Sequence, residues 1–212
     1  ITGAEGADYA IVMARMEDGS ATMFLTDMVR PGIRLERSMD AMDSCFTGGH
    51  GVLVFENLRV PASDVLGEVG QGFRYAQVRL APARLTHCMR WLGQARRAHD
   101  IAVAYATRRK AFGKTIIEFQ NTQFELAACK TDATIAKVFL DHCIGQHVQG
   151  KLDTVTASMA KYRLTDTLGE VIDRCLQLFG GYGYMDEYQI SRLYRDARVL
   201  RIYAGTNEIM KL

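Results

Sequence analysis

Three short stretches of this 212-residue chain gather residue types that could do chemistry together. The first is Arg108-Arg109-Lys110-Ala111-Phe112-Gly113-Lys114, with Gln120 shortly after. Guanidinium groups, a flat aromatic ring and open backbone are suitable parts for gripping a pyrophosphate and an adenine. Composition alone favours a plainer reading, a capped helix end with a solvated basic face. The second stretch is Gln177-Leu178-Phe179-Gly180-Gly181-Tyr182-Gly183-Tyr184, whose glycines let a phosphate or another backbone approach closely. A dinucleotide fingerprint needs a strand before it and a helix after it; a helical pattern comes first here, so the stretch reads on its own as a helix terminator. The third, Arg201-Ile202-Tyr203-Ala204-Gly205-Thr206-Asn207-Glu208-Ile209-Met210, sets hydroxyl and carboxylate groups around a flexible glycine. Its plain reading is a helix N-cap at Thr206 or Asn207.

The elements that must position these stretches fall into two textures. Residues 9–16, 21–27, 33–39 and 51–60 are rich in Val, Ile, Leu and Phe and are separated by Asp18-Gly19, Pro31-Gly32 and Gly48-Gly49, so they read as strands. Asp-Gly supplies positive backbone angles for a tight hairpin, which predicts that the first two strands pair antiparallel. After Gly72 the apolar period moves from two towards 3.6. One stripe runs Leu92, Ala95, Ala98, Ala102, Ala106; a second Leu126, Cys129, Ala133, Ala136, Leu140, Cys143; a third Leu164, Leu168, Val171, Cys175, Leu178. Three such helices predict an antiparallel bundle, with a fourth helix expected beyond Leu212. Pro82 predicts a bend or a late helix start. Gly113 after three cations, and Gly180-Gly181, read as helix ends. The expected fold class is α+β: a partial β-barrel over 1–66, truncated at its start, then a carboxyl-terminal helical bundle over 67–212 whose last helix is truncated.

Composition narrows the rest. With 48% hydrophobic and 24% charged residues the chain has material for a sizeable core, which excludes disorder and collagen. The formal charge of +2 falls short of what a nucleic-acid or anionic-membrane partner would lead one to expect. Cysteines at 45, 88, 129, 143 and 175 form no C-x-x-C pair, which argues against a disulfide framework or structural zinc and for a reducing compartment. His142 and His147 lie five apart, off a shared helical face, so no metal site is indicated. No apolar run reaches the ~20 residues of a membrane-spanning helix. Ile1-Thr2-Gly3 runs straight into strand-like sequence without an initiator Met, which suggests a longer protein whose front end, with any targeting signal, is absent.

Taken together and in this order, Arg109-Lys110-Ala111-Phe112-Gly113-Lys114, the 177–184 stretch and Ile202–Met210 closely resemble the acyl-CoA dehydrogenase family of flavoenzymes. Val65-Leu66-Gly67-Glu68 with Gly70-Gln71-Gly72-Phe73 resembles that family's junction between a β-domain and carboxyl-terminal helices. The resemblance covers essentially the whole chain. It implies FAD as cofactor, an acyl-CoA substrate, an electron-transfer flavoprotein as acceptor, a homodimer or homotetramer, and a cytoplasmic or mitochondrial-matrix location. By match, Thr2 would sit near the flavin ring. Arg109, Phe112 and Gln120, joined by Gln177, Leu178, Gly180 and Gly181, would hold the adenosine and pyrophosphate of a neighbouring subunit's FAD. Ala111 replaces a small hydroxyl residue often found there. Thr206 and Glu208 match flavin-contacting positions, with Glu208 needing a neutralising partner beside an anionic cofactor. Arg84, Tyr203 and Gly205 fall on the substrate side.

The family's base is a carboxylate that stands either directly before the Gly of the Y-x-G-T segment or directly before the Arg of the first long helix. Those positions hold Ala204 and Ala83, and neither can accept a proton. A positioned base typically contributes ~10²- to 10⁴-fold, about 3 to 5.5 kcal/mol, so the resemblance implies an impaired enzyme whose base is unknown. The front half resembles the branch with the later base, and the back half, from Ala157-Ser158-Met159-Ala160-Lys161-Tyr162 on, the long-chain branch with the earlier one; a join of the two would lose both. His87, one helical turn from Ala83, is the nearest titratable group. Two rivals stand beside the enzyme: a noncatalytic FAD- or acyl-CoA-binding assembly subunit, and a basic helical module binding nucleic acid through Arg96, Arg97 and Arg108 to Lys110, which the net charge ranks last.

Overall fold

The computed structural model describes residues 1–43 and 48–212, the side chain of residue 81 excepted; Cys45 therefore lies outside the described residues. The chain divides into two compact units, Ile1–Arg79 and Leu80–Leu212.

In the first unit, β1 (Tyr9–Arg15) and β2 (Ala21–Asp27) pair antiparallel from Tyr9 opposite Asp27 to Arg15 opposite Ala21, as predicted. The turn differs in detail: Met16 and Ser20 close it, and of Asp18-Gly19 only Gly19 takes a positive φ, +84°. The Asp18 carboxylate instead accepts hydrogen bonds from the Ser20 amide and hydroxyl at 2.9 and 2.6 Å. β3 (Ile33–Met39) pairs antiparallel with β4 (His50–Phe55) through a bulge between Leu35 and Arg37. The fourth strand ends at Phe55, five residues before the predicted limit, and Asn57 follows with φ +50°. Among the described residues these are separate two-stranded ribbons with no strand pairing between them, the isolated bridges running to residues outside the strands, such as Phe24 to Val65; no barrel closes. Local alternation fixes each hairpin, while closure depends on distant pairing that no local pattern records.

The second unit is helical. α1 (Gly72–Ala106) begins in the first unit and stays helical across Pro82, so the late start is not taken. α2 (Gln120–Val148) and α3 (Thr154–Gln177) are joined by residues 149–153, a link short enough for neighbouring helices. Every residue of the first two predicted stripes is buried; in the third only Leu178 is half-buried. Four alanines on α1 at 0% exposure let its partners approach closely, with Leu140, Leu168 and Ile172 filling the space between. Asp153 caps α3 by accepting from the Thr156 amide at 2.7 Å.

Two elements were not read from the sequence. α4 (Gln189–Ala197) buries Ile190, Leu193 and Ala197 against the bundle. The cationic stretch is not a helix end closed by Gly113: α1 stops at Ala106, and β5 (Lys110–Ala111) and β6 (Lys114–Thr115) form a small hairpin. Its tip residues Phe112 and Gly113 have φ +53° and +85°, the left-handed pair that a two-residue hairpin demands. Gly180 does take a left-handed φ of +57° three residues after α3.

The glycines of 180–184 are not alike. A Cβ on Gly183 would lie 2.7 Å from the Leu176 carbonyl oxygen, backbone that cannot step aside, whereas one on Gly181 would meet nothing within 4 Å. Gly183→Ala is expected to destabilise by about 1–3 kcal/mol, lowering the melting temperature by several degrees, and Gly181→Ala by less than about 1 kcal/mol. Equal melting temperatures for the two variants would contradict this packing.

Candidate functional site

The helical unit brings the predicted residues into two groups. At the far end of α1, Arg109, Leu178, Gly180 and Gly181 line one groove of about 500 Å³ together with Tyr105, Phe179 and Tyr182. Its wall is an aromatic stack: Tyr105 lies on Phe179 at 4.1 Å, Tyr182 on Tyr188 at 4.9 Å, and the Arg109 guanidinium sits 5.3 Å over the Tyr182 ring. Burial raises the pKa of the Tyr105 hydroxyl, the nearby Arg109 charge partly opposing, and keeps it a neutral donor to the Phe179 carbonyl. Phe112, Gln120 and Gln177 are not part of that lining. Phe112 is 96% exposed at the hairpin tip and meets Phe119 edge-on at 6.4 Å; Gln120 and Gln177 are the exposed first residue of α2 and last residue of α3.

The second group surrounds the loop after α4. Ala204 and Gly205 hold φ +54° and +95°, two successive left-handed residues. Arg84 Nε donates to the Ala204 carbonyl at 3.3 Å, which ties the turn of α1 that follows Ala83 to the loop that holds Ala204. Tyr203 accepts a hydrogen bond from Trp91 Nε1, and the His87 ring lies 4.2 Å from the Tyr203 ring. Thr206 Oγ1 accepts from the Ile209 amide at 3.4 Å, but the helical turn that follows starts after Glu208, so Thr206 is not its N-cap. Asn207 is not a cap but a buried hub, its amide nitrogen donating to Thr165 Oγ1 and Asp166 Oδ1, both at 3.0 Å. The exposed Glu208 carboxyl is held below its ordinary value by its own backbone amide and the Thr206 hydroxyl, and further by Lys211 and Lys161.

The sequence places Lys161 within the Ala157–Tyr162 motif and gives it no role of its own. It is fully buried, and its Nζ donates to the Gly205 carbonyl at 2.6 Å and to Asn207 Oδ1 at 2.7 Å. Burial pushes its ammonium down to about 8; Cys88 opposes that shift and Arg84 adds to it. An amphipathic lysine spaced with Ala157, Ala160, Leu164 and Leu168 reads as a solvated residue flanking a stripe, so the only available signal was the polar pair Thr165 and Asn207 with which it is buried.

In the first unit, Thr2 bridges to His50, its Oγ1 lying 3.1 Å from His50 Nδ1, and His50 Nε2 lies 3.2 Å from Asp43. Among the described residues no cluster of His, Cys, Asp and Glu could hold a metal ion. Cys88, Cys129, Cys143 and Cys175 are buried free thiols, and among the described residues no helix is long and apolar enough to cross a membrane.

Comparison with known proteins agrees with this geometry. A family model for the acyl-CoA dehydrogenase C-terminal domain matches residues 70–212, and the chain belongs to the acyl-CoA dehydrogenase family. A 3-(aryl)acrylate reductase of Clostridium sporogenes is 37% identical over the whole chain and 57% of its own length. The mitochondrial long-chain specific acyl-CoA dehydrogenase of Rattus norvegicus is 43% identical over 159 residues, 75% of this chain and 37% of the relative. A solved acyl-CoA dehydrogenase of Bacillus anthracis complexed with FAD superposes with a TM-score of 0.88 at 28% identity, covering 97% of this chain and 38% of that one. The chain thus spans about half, or less, of the proteins it matches.

The buried ammonium has a global signature. The folded value of about 8 lies below the ordinary 10.5, so between those limits the unfolded chain keeps a proton that the folded chain has released, and stability rises with pH. Wild-type stability relative to Lys161→Met is expected to rise by on the order of 1–2 kcal/mol from pH 7.5 to 9.5, measured by urea unfolding. Parallel pH profiles for the two proteins would refute this.

Proposed function

We propose that the protein containing this chain carries out FAD-dependent α,β-dehydrogenation of an acyl-CoA thioester and passes the electrons to a flavoprotein acceptor, at a rate held back by Ala83 and Ala204. The observation that carries the reading is the Arg84–Ala204 hydrogen bond. It ties the residue that follows Ala83 to Ala204 itself, which supports the reading that a carboxylate at either position would address the same α-carbon, and this chain has a methyl group at both.

The groove fits the ADP end of the cofactor. Gly180 and Gly181 leave open space where a Cβ would stand, so phosphate oxygens can reach backbone, with Arg109 for charge and flat rings for an adenine. Arg109 would hold the pyrophosphate, with Phe112 and Gln120 on the adenosine side and Gln177 and Leu178 completing the cradle. Thr206 and Glu208 would meet the flavin. When bound, the flavin supplies the acceptor for the β-hydride. From Arg84 to the end of α1 at Ala106 the rise is about 33 Å, longer than one extended flavin dinucleotide bridges. This supports an oligomer in which the Arg109 groove serves a neighbouring subunit's cofactor.

The chain's own residues would do the remaining work. Arg84 would meet the CoA portion, Tyr203 and Gly205 would flank the thioester, and the polar contacts of the loop would orient it for loss of the α-proton. His87 stands one turn from Ala83 beside Tyr203, within the group of residues that would surround the acyl chain.

Flavin bleaching on addition of acyl-CoA to the complete, FAD-loaded protein tests the reading. Reduction supports it, while tight acyl-CoA binding with no reduction would favour an assembly subunit. Ala204→Glu or Ala83→Glu is expected to raise turnover at least roughly tenfold, the low end of a positioned base's contribution; unchanged rates in both would refute the missing-base account. Gly181→Ala is expected to fold normally yet retain less flavin after gel filtration.

A further inference from the structure

We propose that Lys161 is a positioning residue whose buried ammonium, held between the Gly205 carbonyl and the Asn207 side chain, clamps the Tyr203–Asn207 loop, so that its protonation sets how firmly the loop is held to receive a thioester. The part concerning the thioester rests on the function proposed above; the part concerning the loop does not.

The loop needs such a clamp. Left-handed backbone is unfavourable for any residue with a Cβ, and Ala204 adopts it immediately before Gly205 does. A conformation of that kind persists only where its surroundings over-determine it. Three contacts do so: Arg84 Nε on the Ala204 carbonyl, Lys161 Nζ on the Gly205 carbonyl, and the Asn207 amide donating to the Arg201 carbonyl at 3.0 Å. The Asn207 side chain is fixed in turn: its oxygen accepts from Lys161, and its nitrogen donates to Thr165 and Asp166. A lysine at 0% exposure spends its hydrogen-bonding capacity on this loop rather than on water.

Of the charged and titratable groups facing Nζ among the described residues, Lys161 is the one that changes charge near neutral pH. From α1 come the Arg84 guanidinium and Cys88, whose thiol burial pushes up to about 12. From α3, Asp166 is ion-paired with Arg201 Nε at 2.8 Å. From the loop itself, Glu208 is held in its charged form by the contacts already described. Loss of the Lys161 proton leaves enough N–H groups for both acceptors, but it turns two charge-assisted bonds into neutral ones of roughly half the strength. The same deprotonation relieves the cost of a buried charge. With Nζ still enclosed between α1 and α3 when the loop lifts, the charged form loses more than the neutral one, so loop and fold respond to pH in opposite senses: between pH 8 and 10 the whole molecule gains stability while the loop loosens.

The test is hydrogen exchange by mass spectrometry on the full-length, FAD-loaded protein, following peptides that cover 201–212 and correcting for the intrinsic pH dependence of exchange. Wild-type loop amides are expected to exchange about five- to tenfold faster at pH 9.5 than at pH 7. Lys161→Met is expected to show the faster exchange already at pH 7 and no further response to pH. Equal protection in the two proteins at pH 7, or a pH response that survives in Lys161→Met, overturns the proposal. Should that variant not fold, a flat wild-type series from pH 7 to 9.5 overturns it unaided. Affinity for an unreactive acyl-CoA thioether, titrated over the same range, is expected to fall in step with loop protection. Affinity that stays constant while the loop loosens overturns the role toward the thioester. A loop that loosens as expected in a protein with no acyl-CoA affinity at any pH supports the clamp and refutes the proposed function instead.

Discussion

A positive charge buried in a helical core constrains everything around it. Lys161 could have been excluded only by an apolar replacement, and a lone buried ammonium is costly unless its donors find acceptors with good geometry. Here the acceptors are the Gly205 carbonyl and the Asn207 side chain, and Asn207 is held by Thr165 and Asp166 on the same helix as the lysine. The loop after α4 must therefore return to α3 at this point. Its sharp backbone at Ala204 and Gly205, and the reach of Arg84 from α1, follow from where that return is anchored.

The polar network and the alanine face of α1 divide the labour. Small side chains let the helices pack closely but give little to distinguish one register from the next. Hydrogen bonds with a fixed stereochemistry do distinguish it. The Arg174 guanidinium, bonded to Glu125 at 2.7 Å and Asp132 at 3.3 Å, performs the same service between α2 and α3, in water rather than in the core. Exposed pairs of that kind contribute little to stability. The interior network is the stronger determinant of loop geometry.

Much of this was legible in the sequence, for reasons that differ by element. The helical stripes were read correctly because burial on one face imposes a period that few other constraints imitate; Leu164, Leu168, Val171 and Cys175 all lie inside, and only Leu178, beyond the last turn, stays half-buried. The β1–β2 hairpin was read for a similar reason. The 110–115 hairpin was not, because cations followed by glycine suit a helix end and a tight turn equally well, and the choice was made by Phe112 accepting a left-handed angle. α4 escaped because nine residues span too few turns to establish a period. Of the candidate site, the gathering of Arg109 with Leu178, Gly180 and Gly181 was foreseen through family likeness rather than spacing, whereas Phe112, Gln120 and Gln177 lie outside that groove. Lys161 was missed because a lysine ordinarily signals solvent, and its burial depends on an asparagine 46 positions away.

The distance along α1 between Arg84 and the Arg109 groove carries a genetic consequence in the proposed assembly. Each polypeptide would lend one end to its own cofactor and the other to a neighbour's. A lesion at the Arg109 corner would harm the adjoining copy and spare the one that bears it, while a lesion at the loop would do the reverse. Two alleles altered at opposite ends, each inactive when alone, would then regain partial activity when co-expressed.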